Sequence, residues 1–345
     1  MRHRSQKHAI YHLILKSKLK VAVLGGGSWG TALIKIITEN KRDVGWYIRD
    51  PVNARFVKKH SHNPNYLSAT YLKTKRLRIS SDINQIVAEA DVLIISIPSA
   101  FLSSELEKLN QPVNDKIIFS AVKGVVPESM LIVGEHLNKI LNVPIEKIGV
   151  ITCPSHAEEI AMERLSYLTI ACIENKLAKA IASMLKTQFI RTTISSDIVG
   201  TEYASMLKNI YAIASGIGHA LGYGDNFQSV LMSNAIREMK RFIKDVYKMK
   251  RNINNSAYLG DLLVTGYSVF SRNRMFGSMI GKGYTIKAGQ MEMKMIAEGY
   301  YATKSAKMIN QKYPTRIPII DAVFSILYLQ KKPKKVFKKL VKKLD

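Results

Sequence analysis

The apolar residues of this chain follow one pattern up to about residue 200 and another beyond it. In the first part, short apolar runs alternate with helical patterns. Lys20–Leu24, Asp43–Ile48, Asp91–Ile97, Lys116–Val122 and Ile148–Thr152 are rich in Val and Ile and nearly continuous, the pattern of strands buried on both faces of a parallel sheet. Thr31–Ile37 has helical spacing directly after the first run. Beyond Gly200 the strand pattern fades. Tyr203–Leu221 is apolar on almost every side, which predicts one long buried helix. Gly277–Gly283 reads as a flexible turn. The reading is an α/β fold in two parts: a basic extension over 1–19, a doubly wound sheet domain over 20–199, and an all-helical domain over 200–345 with a Lys-rich tail. A length of 345 residues suits two domains.

The junction of the first strand and helix carries chemistry. Gly25-Gly-Gly-Ser-Trp-Gly30 is G-x-G-x-x-G between a strand and a helix, the dinucleotide fingerprint of a Rossmann-type domain. Gly25 permits the tight turn, Gly27 lets a pyrophosphate approach the backbone, and Gly30 lets helix and strand pack closely. The helix N-terminus then offers free N–H groups to phosphate. At the end of the second strand stand Arg49 and Asp50. An acid there suits the ribose hydroxyls of NAD(H), and an arginine suits the 2′-phosphate of NADP(H). The pair admits both cofactors and inclines to NADP(H). Three later strands also end in polar or basic residues: Pro98-Ser99, Lys123-Gly124 and Cys153-Pro-Ser-His-Ala157.

In the helical part, Lys208-Asn209 interrupts the long apolar helix. A lysine there is costly unless paired or facing a cleft, and burial lowers the pKa of an ammonium, so Lys208 is a candidate proton donor. Asp261 is placed to orient and balance it. Arg272 with Asn273 offers a guanidinium fork and an amide, suited to phosphate.

Charge alters this picture less than its size suggests. The net charge is +26, yet half of it lies in 1–20 and 331–345, which hold fourteen basic residues and one acid. No interleaved aromatic platform accompanies those lysines, so they read as solvated ends rather than a nucleic-acid arm. Val336, Phe337, Leu340, Val341 and Leu344 predict a final helix packing one apolar face rather than a membrane-surface helix. No apolar run reaches the roughly 20 residues of a membrane helix. Met1–Lys20 lacks the small-residue cleavage site of a secretory signal. Two cysteines, Cys153 and Cys172, exclude a disulfide scaffold and fit a reducing compartment.

Together these motifs resemble the NAD(P)-dependent glycerol-3-phosphate dehydrogenase family, over about Lys20–Leu327. The resemblance implies that Ser28 and Trp29 touch the cofactor and that Lys123 contacts both cofactor and substrate. It implies that Cys153, Ser155 and Ala157 lie in a substrate and cofactor segment. It makes Lys208 the catalytic acid and base, with Asn209, Asp261, Thr265, Ser271, Arg272 and Asn273 around the substrate. Arg272, Ile296 and Glu298 fall where the family again contacts the cofactor. It further implies NADP(H) and/or NAD(H) as cofactor, a small phosphorylated substrate, no metal, a cytoplasmic homodimer, and a product that feeds glycerophospholipid synthesis. Nucleic acid and integral membrane association are not expected. The chain departs from the family pattern at Cys153, where a glycine is usual, and at His156, where a phenylalanine is usual. His156 reads as packing near the cofactor.

Two other readings compete. A two-domain dehydrogenase of the β-hydroxyacid or 6-phosphogluconate type shares this layout, but the Gly-Asp-Leu and Ser-Arg-Asn segments argue against it. A dinucleotide-sensing protein with polyanion-binding ends leaves Lys208, Asp261 and Arg272 without a role.

Overall fold

A computed structural model describes residues 19–152, 154, 156–293 and 297–344. The chain divides into two compact units. The first comprises residues up to Val122 together with Val133–Ile198. The second comprises Lys123–Ile132 and the chain from Val199 onward.

The first unit is built on one eight-stranded sheet. In chain order its strands are β1 Val21–Leu24, β2 Val44–Tyr47, β3 Leu77–Ser80, β4 Val92–Ile95, β5 Ile117–Ser120, β8 Ile148–Thr152, β9 Ser166–Cys172 and β10 Ile190–Ser195, with the two short strands β6 Val125–Val126 and β7 Leu131–Ile132 falling between β5 and β8 in the other unit. The order across the sheet is β10-β9-β8-β5-β4-β1-β2-β3, and every pair is parallel except β8 with β9. β1, β2, β4, β5 and β8 are buried at every position, as the apolar runs predict. Between them lie helices α1 Ser28–Glu39, α2 Pro51–His60, α3 Ile83–Ala88, α4 Ser99–Leu106, α5 Val133–Leu141, α6 Ala157–Ala161 and α7 Asn175–Leu185. Val21 of β1 pairs with Val44 of β2 on one side and Val92 of β4 on the other. The strand order reverses beside β1, so the carboxyl ends of β1 and β4 flank the switch point where doubly wound sheets bind ligands.

The second unit holds the β6–β7 hairpin and eight helices among the described residues: α8 Ile198–Ala220 (whose first residue lies at the edge of the other unit), α9 Asp225–Val246, α10 Asp261–Tyr267, α11 Arg272–Gly281, α12 Ile286–Glu292, α13 Glu298–Lys312, α14 Pro318–Leu327 and α15 Pro333–Val341. The hairpin segment 123–132 falls within the span expected for the sheet domain, yet it packs with the helices, where Val125 and Ile132 join the core. The chain passes from the first unit into the second for the last time at Ile198/Val199.

The predicted long helix is α8, and it is buried along most of its length. It is less uniformly apolar than its pattern suggests. Thr201, Glu202, Ser205, Lys208, Asn209 and Ser215 are all buried with it. The turn expected over Gly277–Gly283 is corrected: Gly277 lies inside α11, and only the end of the stretch leaves the helix. A Cβ on Gly277 would stand 2.2 Å from the Ile213 carbonyl oxygen, and one on Gly216 would stand 2.0 Å from the Arg274 carbonyl oxygen. These glycines let α8 and α11 approach backbone to backbone. A glycine that permits close approach and one that permits a turn look alike in a single sequence.

Glu238 of α9 is fully buried and accepts the N–H groups of Ile319 (2.9 Å) and Ile320 (3.1 Å) in the first turn of α14. A carboxylate suits a helix N-terminus. Burial nonetheless pushes this carboxyl up to about 8, against the pull of the two N–H groups and of Arg241, with Asp321 adding to the rise. A carboxyl raised in the folded state binds its proton there in preference to the unfolded state. Its contribution to stability is therefore complete below the ordinary value of 4.5 and declines as pH rises to about 8. Glu238→Gln, which keeps one acceptor and cannot ionise, is expected to flatten the fall of the melting temperature across that window. A parallel fall in wild type and variant would refute the assignment.

Candidate active site

Each unit presents a set of residues with a chemical purpose. In the first unit the set surrounds the glycine loop between β1 and α1. Gly25 has φ +128°, a conformation open to glycine, and a Cβ on Gly30 would stand 2.1 Å from the Gly25 carbonyl oxygen. Nothing lies within 4 Å of where a Gly27 Cβ would be, so that face of the loop is open to a ligand. Helix α1 begins at Ser28 with no side-chain cap and no acid in its first turn. Its positive end is thus available to phosphate. The loop and the helix start fit a dinucleotide.

Side chains remote in sequence hold this loop rigid. Trp46 Nε1 donates to the Gly25 carbonyl (3.0 Å), and Asn63 Nδ2 donates to the Gly26 carbonyl (3.0 Å) and to Thr31 Oγ1 (2.8 Å). The Ser96 hydroxyl donates to the Leu24 carbonyl (3.1 Å). None of the three was singled out from the sequence. Only Ser96 carried a signal, as the polar residue inside the apolar run Asp91–Ile97.

At the end of β2 the structure separates Arg49 from Asp50. Asp50 caps α2, accepting from Val52 N (2.7 Å) and Asn53 N (3.4 Å). Arg49 is exposed, lies 5.8 Å from the Phe101 ring centroid and approaches Glu105 at 3.5 Å. That carboxylate already accepts from the Tyr47 hydroxyl (2.6 Å) and Lys108 Nζ (2.8 Å), so Arg49 is loosely engaged. Ser28 is buried, Trp29 packs half-buried against the sheet core, and Ala157 begins α6. Cys153, Ser155 and Ile296 lie outside the described residues, as does the extension up to residue 18.

In the second unit the centre is Lys208. It sits mid-way along α8, 3% exposed, and its ammonium makes an ion pair with Asp261 Oδ1. Asp261 is 1% exposed, and its second oxygen is buried without a hydrogen-bond partner. That oxygen is free to accept from a bound hydroxyl. Asp261 starts α10 directly after a π-helical turn over Ser256–Gly260, a rare element that re-aims the residue following it. No signal in the sequence announced that turn. Thr265 donates to the Asp261 carbonyl (2.6 Å) and so braces the first turn of α10.

Neighbouring residues complete the set. Asn209 is buried beside Lys208 on α8, and its Nδ2 donates to the Lys123 carbonyl at 3.5 Å, which places Lys123 next to this helix. Ser271 caps α11, accepting from Arg274 N (3.3 Å), and Arg272 and Asn273 form the first turn. Arg272 is exposed there, a cation at a helix N-terminus, an arrangement that favours an anion beside it. Asn273 is buried, and its Oδ1 accepts from Gly299 N (2.8 Å) in the first turn of α13. Its carbonyl is thereby engaged, leaving the amide N–H groups to bind. A Cβ on Gly299 would stand 2.6 Å from the Asn209 carbonyl oxygen, so α13 meets α8 one residue from Lys208. Glu298 precedes that contact in the same turn. The second unit therefore gathers Lys123, Lys208, Asn209, Asp261, Thr265, Asn273 and Glu298 through contacts among α8, α10, α11 and α13. Among the described residues no group of three His, Cys, Asp or Glu is placed to hold a metal ion, and no helix is long and apolar enough to cross a membrane.

Comparison with known proteins identifies the family. Residues 20–178 match the family model described as the NAD-dependent glycerol-3-phosphate dehydrogenase N-terminus, and residues 197–338 match that of its C-terminus. A glycerol-3-phosphate dehydrogenase [NAD(P)+] of Macrococcus caseolyticus is 31% identical over 312 residues, 90% of this chain and 94% of that relative. The one of Bacillus subtilis is 33% identical over 312 residues, 90% of each. The crystal structure of glycerol-3-phosphate dehydrogenase from Coxiella burnetii superposes with a TM-score of 0.87 at 27% identity, covering 94% of this chain and 99% of that one. The chain belongs to the NAD-dependent glycerol-3-phosphate dehydrogenase family.

Proposed function

We propose that the chain catalyses the reversible, NAD(P)H-dependent interconversion of dihydroxyacetone phosphate and sn-glycerol 3-phosphate. The observation that carries this reading is the buried pair of Lys208 and Asp261. An ammonium out of water is a defined proton donor only if a partner fixes its direction, and Asp261 does so. When bound, the nicotinamide supplies or accepts a hydride at the substrate's middle carbon. Lys208 Nζ donates a proton to the developing alkoxide on reduction and takes it back on oxidation. Lys123 adds positive charge beside the same oxygen. Arg272 and the N-terminal turn of α11 bind the substrate phosphate, helped by the Asn273 amide. Binding energy from that unreactive group aligns the carbonyl. The glycine loop and the start of α1 hold the cofactor's pyrophosphate.

With Asp50 engaged as a helix cap, Arg49 is the group available to a 2′-phosphate, and this reading favours NADP(H). It includes the cytoplasmic homodimer, the small phosphorylated substrate and the supply of glycerophospholipid synthesis that the family resemblance implies.

Lys208→Ala is expected to lower kcat by about 10²–10⁴-fold. Cofactor binding, read by nicotinamide fluorescence, should stay near wild type. The variant leaves a buried carboxylate alone, which costs ~3–5 kcal/mol, so Lys208→Ala with Asp261→Asn should recover the melting temperature and not the activity. Turnover within a few-fold of wild type would remove Lys208 from the mechanism. Arg272→Ala is expected to raise KM for dihydroxyacetone phosphate by about 10–100-fold, the loss of one charge-assisted bond or two. An unchanged KM would move the phosphate site elsewhere. For cofactor choice, Arg49→Gln should raise KM for NADPH about tenfold or more and leave KM for NADH nearly unchanged. Equal effects on both would sink the selective role.

A further inference from the structure

The mechanism uses three cations of the second unit and leaves its largest concentration of charge without a role. Helix α15, Pro333–Val341, is anchored by Phe337 and Leu340, both buried. The Phe337 ring lies 6.0 Å from Tyr223 and 6.2 Å from Phe227, so the helix is fixed to the body on that face. The eight lysines between 331 and 343 are all exposed. Among the described residues none of them makes an ion pair. The positive surface extends beyond the helix. Arg316 Nη2 donates to the Lys343 carbonyl (3.1 Å), and Arg241 Nη2 of α9 donates to the Arg316 carbonyl (3.3 Å). The exposed Arg316 guanidinium is held by a neutral oxygen, which positions it without cancelling its charge; Arg241 is half-buried behind it and also acts on the buried Glu238 carboxyl.

We propose that α15, with Arg316, is a docking surface for an anionic lipid bilayer, on which the protein binds peripherally and reversibly. A fixed array of unpaired lysines attracts a negatively charged leaflet, and clusters of four to eight such residues are enough to do so. Leu329 and Val341, at the two ends of the segment, are 53% and 39% exposed, apolar side chains among the lysines as in helices that lie at a membrane interface. Nucleic acid fits the helix less well. The aromatic residue of α15, Phe337, is buried, so the helix offers no stacking platform.

The test is flotation of the full chain with vesicles of phosphatidylcholine alone and of phosphatidylcholine mixed with phosphatidylglycerol. Binding is expected to the mixed vesicles only and should fall steeply with added salt. A variant with Lys334, Lys335, Lys338 and Lys339 changed to Gln should lose about tenfold or more of that binding, with kcat and KM unchanged, since none of the four serves the reaction. A variant lacking residues 2–18 should keep it. The proposal is overturned by absent binding to the mixed vesicles, by equal binding of the four-Gln variant, or by loss of binding on removing residues 2–18 alone. It is equally overturned if a duplex oligonucleotide binds at the same salt, in a manner abolished in the four-Gln variant, while the vesicles do not.

Discussion

A lysine ammonium and an aspartate carboxylate, both removed from water, set the terms for the rest of the second unit. Neither charge is tolerable there alone, and their mutual attraction offsets the loss of hydration only when the geometry is held closely. The helices around Lys208 and Asp261 supply that hold. Lys208 stands in the middle of a 23-residue helix, where the backbone has no freedom to drift. Asp261 follows a π-helical turn, and Thr265 bonds its carbonyl from one turn further along the next helix. The second oxygen of Asp261 stays buried and unbonded, a cost that makes sense where a ligand hydroxyl can fill it.

Such precision needs helices nearer to one another than side chains normally allow. Gly216 with Gly277, and Gly299 against the Asn209 carbonyl, bring α11 and α13 onto α8 at backbone contact. The Asn273–Gly299 hydrogen bond locks the two approaching helices to each other at the level of Lys208. The first unit uses the same device for a different end. There Gly25 and Gly30 bring a helix start against a strand end, and Trp46, Asn63 and Ser96 secure the loop so that its amides stay aimed. In both units the group proposed to act is an N–H or ammonium held in place by its neighbours.

This division explains what the sequence made legible. Local periodicity exposed β1, the glycine loop and α1, because strand, turn and helix there are contiguous and each has its own period. The same holds for the long helix and for Lys208, conspicuous as a charge among apolar residues. Arg272 and Asn273 stood out by residue type. Supports were hidden wherever they act across distance. Asn63 reaches the glycine loop from 37 residues away, and nothing in its own surroundings marks it. The hairpin 125–132 follows a strand of the sheet yet packs with the helices, a tertiary preference that no local pattern carries. Gly277 misled because a missing Cβ serves a turn and a tight helix contact equally well. The role of Asp50 was ambiguous for a similar reason. An acid after a strand can bind a ribose or cap the next helix, and here it caps.

Charge requires the same distinction between residue type and placement. Counted along the chain, the C-terminal lysines resemble a solvated tail, where flexible cations collect counterions and have little collective effect. Anchored by Phe337 and Leu340, they instead spring from a fixed backbone and cannot disperse as the charges of a free tail do. Their unfavourable self-interaction persists until an opposite charge arrives, and a broad negative surface relieves more of it than a single small anion can. The helix therefore keeps a repulsive energy on the outside of the second unit much as Lys208 and Asp261 keep a desolvation cost on the inside. In each case packing holds charge where solvent alone would disperse it, and the held charge defines what can bind.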